Sequence, residues 1–136
     1  MRLGLWAAVA VLIASPLWAQ EEPIQNTITA QIEAFKVDDF AKAFSYASPN
    51  IHQIFQNSAN FGAMVTQGYP MVVRPAQVEM MDLRTVGGAL WQRVRVTDQK
   101  GKSFLLDYQM IETPDGWQIN AVQLQRAPDE IGRAHV

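Results

Sequence analysis

The chain has 136 residues, 49% of them hydrophobic and 18% charged, with no cysteine and a formal charge of −2. That is the size and balance of one globular domain. Eleven Lys and Arg against thirteen Asp and Glu, with no lysine-rich run, argue against nucleic acid as a partner, and the lack of cysteine removes disulfides, zinc thiolate sites and thiol nucleophiles together.

Met1 and Arg2 form a short positive region, Leu3 to Ile13 is almost wholly apolar, and Ser15-Pro16-Leu17-Trp18-Ala19 reads as a helix-breaking cleavage region. The pattern predicts an exported protein, periplasmic or secreted, cut after Ala19, with Leu17 standing where a small residue is usual. A retained membrane helix needs about 20 apolar residues. This run is broken by Pro16 and followed by Glu21 and Glu22, so no membrane association is expected once the leader is gone. The expected division is a signal peptide over 1–19, one domain over 20–126 and a polar, weakly ordered tail over 127–136.

In chain order, Ile24, Ile28, Ile32 and Phe35 recur at helical spacing, with Pro23 suited to a first turn. Asp38 is the expected cap of a second helix that buries Phe40, Ala43, Phe44 and Ala47. Ser48-Pro49 supplies a cap and a first-turn proline for a third, burying Ile51, Ile54 and Phe55. Ser58 opens a fourth, which buries Phe61, Met64 and Val65 and stops at Gly68. Pro70 and Pro75 predict an extended connector over 69–75.

From Gln77 the period changes to two, and turn signals at Gly87-Gly88, Asp98 to Lys102 and Pro114-Asp115-Gly116 divide the rest into four strands. The reading is α+β, with N-terminal helices packed on one face of a curved four-stranded antiparallel meander. The turns set a register: Val86 opposite Ala89, Asp82 opposite Arg93, Met81 opposite Val94, Arg93 opposite Asp107, Tyr108 opposite Val122 and Thr113 opposite Trp117. Apolar parity slips at Met80-Met81, where a bulge would restore it.

On this register Met81, Leu83, Leu90, Val94, Val96, Phe104, Leu106, Tyr108, Met110, Val122 and Leu124 face the helices. Gln92, Tyr108 and Asn120 interrupt that face as neutral donors and acceptors, and are the candidate ligand-binding residues. The other face carries Asp82, Arg93 and Asp107 as a ladder of alternating charge. It also carries Ala89, Trp91, Ile111, Trp117, Ile119 and Ala121, of which Trp91, Ile111, Trp117 and Ile119 are the candidate face of a homodimer.

Catalytic groups do not converge. Asp107 and Tyr108 are strand neighbours and point to opposite faces, so one cavity cannot use both. Glu112 has inward parity only near an edge. His52 lies on a short helix, His135 in the tail, and no serine sits in a Gly-x-Ser-x-Gly turn. No metal site, cofactor or catalytic set is expected.

Asn60-Phe61-Gly62-Ala63-Met64-Val65 with Gly68-Tyr69-Pro70-Met71-Val72, then Leu90-Trp91-Gln92-Arg93-Val94, then Leu106-Asp107-Tyr108-Gln109-Met110 through Asp115-Gly116-Trp117-Gln118-Ile119-Asn120 together resemble a family of small exported bacterial proteins known only as a domain of unknown function. The resemblance covers nearly all of the chain beyond the leader. It implies the cone-shaped fold of nuclear transport factor two and ketosteroid isomerase, in which helices close the mouth of a curved sheet, and it implies export; it carries no activity. The expected function is non-catalytic binding of a small apolar or amphipathic ligand, or of a protein partner. An isomerase- or dehydratase-like enzyme using the cone cavity and a structural subunit of an envelope complex are the two alternatives.

Overall fold

The structure is a computed structural model that describes residues 16–125. The first fifteen residues of the expected signal peptide and the expected tail lie outside the described residues. Among the described residues, no helix is long and apolar enough to cross a membrane.

Helix α1 (Leu17–Lys36) begins inside the segment read as the cleavage region, so Leu17, Trp18 and Ala19 are helical and Pro23 lies in the helix interior rather than its first turn. The ring costs one backbone hydrogen bond, and the Thr27 hydroxyl donates to the Pro23 carbonyl at 3.2 Å and to the Trp117 carbonyl at 3.1 Å. The expected stripe of Ile24, Ile28, Ile32 and Phe35 is buried.

Helix α2 (Phe40–Ser45) is capped by Asp39, whose side chain accepts from the Lys42 N–H at 3.1 Å. Asp38, the expected cap, takes positive φ instead and holds the Arg74 guanidinium through both carboxylate oxygens at 3.0 Å. Helix α3 (Pro49–Phe55) starts as expected on Ser48, which accepts from the Ile51 N–H at 3.3 Å. It buries none of its residues fully, and Ile54 is 61% exposed. Helix α4 (Ser58–Gly68) is capped by Asn57 and buries Phe61 and Val65, with Met64 half-buried. Residues 70–73 form a one-turn helix, α5 (Pro70–Val73), where an extended connector was expected, because Pro70 sits at the first helical position that its fixed φ favours.

Gly62 allows α4 to lie on α2: a Cβ there would meet the Phe40 ring at 2.9 Å. Alanine gains about 1 kcal/mol in helix propensity, but overpacking costs about 1–3 kcal/mol. Gly62→Ala is therefore expected to lower the thermal midpoint, and Phe40→Leu in the same chain to restore part of it.

Strands β1 (Gln77–Val86), β2 (Ala89–Thr97), β3 (Ser103–Thr113) and β4 (Gly116–Gln125) pair in sequence order as an antiparallel meander. The helices lie on one face and share a core with the inward side chains Leu83, Val94, Val96, Leu106, Tyr108 and Met110. The α+β reading holds.

The β2–β3 register is as expected, with Arg93 opposite Asp107 and Val94 opposite Leu106. Two bulges correct the rest. In β1 the register shifts between Met80 and Leu83, so Met80, not Met81, faces Val94, and Asp82 is not opposite Arg93. In β4 the turn is tighter than expected, with Thr113 opposite Gly116, and Met110 faces Ile119 while Gln109 faces Ala121. Asn120 is the extra residue that returns Tyr108 to Val122. The parity of Trp117 and Ile119 is thereby reversed: Ile119 is 4% exposed in the core, and Trp117 packs against it. Leu124 keeps inward parity, opposite Leu106, but is exposed.

Candidate functional site

On the free edge of β4, next to the bulge, the backbone of Ile119 binds the corner between α2 and α3. Its carbonyl accepts from the Ser48 N–H at 2.8 Å, and its N–H donates to the Tyr46 carbonyl at 2.9 Å. The Ser48 hydroxyl donates to Asn120 Oδ1 at 2.7 Å, and Asn120 Nδ2 donates to Gln109 Oε1 at 2.8 Å. Helix α3 is thus tied at its first turn while its body stays half-buried. The space left beneath it is a cavity of about 380 Å³.

Its walls come from Gln31 and Phe35 on α1, Asn50, Ile51, Ile54 and Phe55 on α3, Phe61, Met64 and Val65 on α4, Tyr69 and Val72 around α5, Tyr108 on β3, and residues 119–122 on β4, with Ala47 at the corner. Asn50 and Ile54 are exposed, so the α3 side is the mouth. The lining is mostly apolar with a few neutral polar groups, the composition of a small-molecule site. Among the described residues it includes no Asp, Glu, His, Lys or Arg.

Tyr108 stands on the floor, 1% exposed, and its hydroxyl makes no hydrogen bond among the described residues. Burial, with a smaller contribution from neighbouring Tyr69, pushes its pKa well above the ordinary 10.0; low dielectric disfavours the phenolate. The unfolded chain releases this proton near pH 10 and the folded chain only higher, so stability present below pH 10 is lost as pH rises through the folded value. Ultraviolet titration of tyrosinate is expected to show one tyrosine ionising late and together with unfolding, and Tyr108→Phe to remove that component. Tyr69 is differently placed, with its hydroxyl donating to the Val122 carbonyl at 3.2 Å.

The three candidate ligand residues are therefore not one cluster. Tyr108 faces the cavity as expected. Asn120 lines it, but both ends of its amide serve the latch to Ser48 and Gln109. Gln92 is fully buried away from the cavity, where its Nε2 donates at 2.9 Å to the carbonyls of Met81 and Arg93 and braces the β1 bulge. Its Oε1 has no partner among the described residues. Gln31 was missed. It is buried in the stripe of α1, its Nε2 donates to the Ala43 carbonyl at 3.1 Å, and it lines the cavity. Its signal was visible, since a glutamine three residues after Ile28 falls where the stripe calls for an apolar side chain.

On the opposite sheet face, Arg93 clamps Asp107 through two bonds of 2.8 and 2.9 Å, with Arg84 at 3.8 Å. The hydrogen bond to Asp107 is the main reason the guanidinium pKa is raised. Asp107 is 6% exposed, covered by arginines and not by the helices. Asp82 is exposed in the β1 bulge, and Arg84 takes its expected place in the ladder. The proposed dimer quartet is divided as well: Trp91 and Ile111 lie half-buried on this face, while Trp117 and Ile119 lie on the other.

His52 stacks on Phe44 with ring centroids 3.8 Å apart and does not line the cavity. Glu112 is exposed. Among the described residues no group of three His, Cys, Asp or Glu could hold a metal ion.

A family model described as Domain of unknown function (DUF4864) matches residues 18–132. No curated protein matches the chain. Among solved structures, an NTF-2 like protein of unknown function from Burkholderia xenovorans LB400 is similar at 14% identity, with 83% of this chain and 93% of that chain covered and a TM-score of 0.47. A phospholipid-binding protein from Ralstonia solanacearum, solved with a phospholipid, is similar at 17% identity over 76% of each chain, with a TM-score of 0.45. An NTF2-like protein of unknown function from Burkholderia pseudomallei K96243 is similar at 15% identity over 82% of this chain and 95% of that chain, with a TM-score of 0.38.

Proposed function

The chain belongs to the DUF4864 family, and we propose that it is an exported, non-catalytic binder of a small apolar or amphipathic molecule, held between the helices and the sheet. The observation that carries this reading is the cavity itself: about 380 Å³, walled mostly by apolar side chains, with the Tyr108 hydroxyl on its floor making no hydrogen bond among the described residues. A filled core would satisfy or exclude such a hydroxyl. Export rests on the leader-like Met1 to Ala19.

The isomerase-like alternative needs a carboxylate or histidine at the wall to move a proton, and the described lining offers neither. A homodimer through the outer face keeps only Trp91 and Ile111 of its expected residues there, and is not needed to complete the cavity.

Native mass spectrometry of the chain isolated from the periplasm without denaturant tests the reading. The expected spectrum contains a species heavier than the mature chain that loses its extra mass on organic extraction. Unliganded protein alone, together with no saturable uptake of a small hydrocarbon such as butylbenzene, would overturn it.

A further inference from the structure

Resting on that reading of the cavity, we propose that its occupant is uncharged and carries a hydroxyl at one end: an alcohol-type apolar molecule bound hydroxyl-first against Tyr108 and Gln31. The volume sets the size. At about 30 Å³ per water-sized heavy atom, 380 Å³ corresponds to roughly a dozen heavy atoms.

The charge follows from what the wall lacks. No cationic or anionic side chain of the described residues lines the cavity, so a carboxylate or ammonium carried to the floor would be desolvated with nothing to pair with. A molecule whose charged end stayed at the mouth would leave the floor's polar atoms unanswered.

The polar end follows from which atoms are free. The Asn120 amide is committed at both ends, and the Tyr69 hydroxyl is donated to Val122. Two atoms remain. The Tyr108 hydroxyl is a donor without an acceptor among the described residues, and it stays protonated through the physiological range because burial raises its pKa. Gln31 has its Nε2 fixed on the Ala43 carbonyl, which orients the amide and leaves Oε1 as an acceptor without a donor among the described residues. A hydroxyl is the smallest group that accepts from one and donates to the other. A hydrocarbon satisfies neither.

Calorimetric titration of the full mature chain with four ligands of similar length separates the possibilities: butylbenzene, 1-decanol, decanoate and decyltrimethylammonium. Decanol is expected to bind tightest, with decanoate and decyltrimethylammonium weaker by roughly tenfold or more. Tyr108→Phe is expected to weaken decanol about three- to tenfold while leaving butylbenzene within about twofold. If either charged ligand matches decanol, or if Tyr108→Phe leaves decanol unchanged, the hydroxyl assignment falls and the cavity reading stands. If none of the four binds, both fall. Should Tyr108→Phe fail to fold, the ranking of the four ligands on the unaltered chain decides alone.

Discussion

Replacing Ile51 and Met64 together by tryptophan is expected to reduce butylbenzene binding by roughly a hundredfold while the chain stays folded. Both residues are half-buried, stand on different helices and line the same cavity. Two indoles directed into it would displace a ligand from about 100 Å² of apolar wall, worth about 2.5 kcal/mol at 25 cal/mol per Å². Because the added atoms enter empty space, the overpacking cost of a filled core does not apply in full. Circular dichroism melting alongside calorimetry checks both halves. A folded double variant that binds as the unaltered chain does would place the ligand elsewhere.

Arg93→Met is expected to destabilise the fold by about 2–4 kcal/mol without changing ligand affinity. Removing one partner of a buried ion pair costs about 3–5 kcal/mol, because the remaining charge is stranded. Here Arg84, at 3.8 Å from the carboxylate and 45% exposed, recovers part of that loss. Asp107→Asn in the Arg93→Met background is expected to restore most of the stability, since it removes the stranded charge and keeps the shape. Urea unfolding of the two single variants and the double variant forms the cycle that measures this. The raised pKa of Arg93 keeps the arginine side of the pair charged from acid through neutral to strongly alkaline pH, so its contribution is flat through neutral pH.

The two expectations act on opposite faces of one sheet, and the sequence makes that separation legible at Asp107 and Tyr108. The loop over 98–102 ties Thr97 to Ser103, and from there alternation alone sends Tyr108 under the helices and Asp107 outward. Alternation fails where a bulge is selected by tertiary partners. Nothing local to Gly116–Ala121 announces that Ile119, still opposite Met110 on β3, will turn its N–H and carbonyl to Tyr46 and Ser48, residues more than seventy positions earlier. That single insertion moved Ile119 from a supposed interface into the core and turned Asn120 into a latch.

The helical half shows the same boundary between local and distant causes. Ser48-Pro49 starts a helix because cap and first-turn proline are neighbours. The choice between Asp38 and Asp39 as cap depends on Arg74, which draws Asp38 into an ion pair across the fold. Helix α3 was expected to bury Ile51, Ile54 and Phe55. It instead stands over a cavity, which a hydrophobic stripe by itself cannot distinguish from a core.

Nuclear magnetic resonance of the methyl-labelled chain titrated with butylbenzene tests the placement of the site most directly. Intermolecular contacts and shift changes are expected at Ile51, Met64, Val65 and Ile119, which line the cavity from three elements, with the Ile111 methyls on the far face unmoved. Saturable changes confined to Ile111 and its neighbours, or none at any of these methyls, would contradict it.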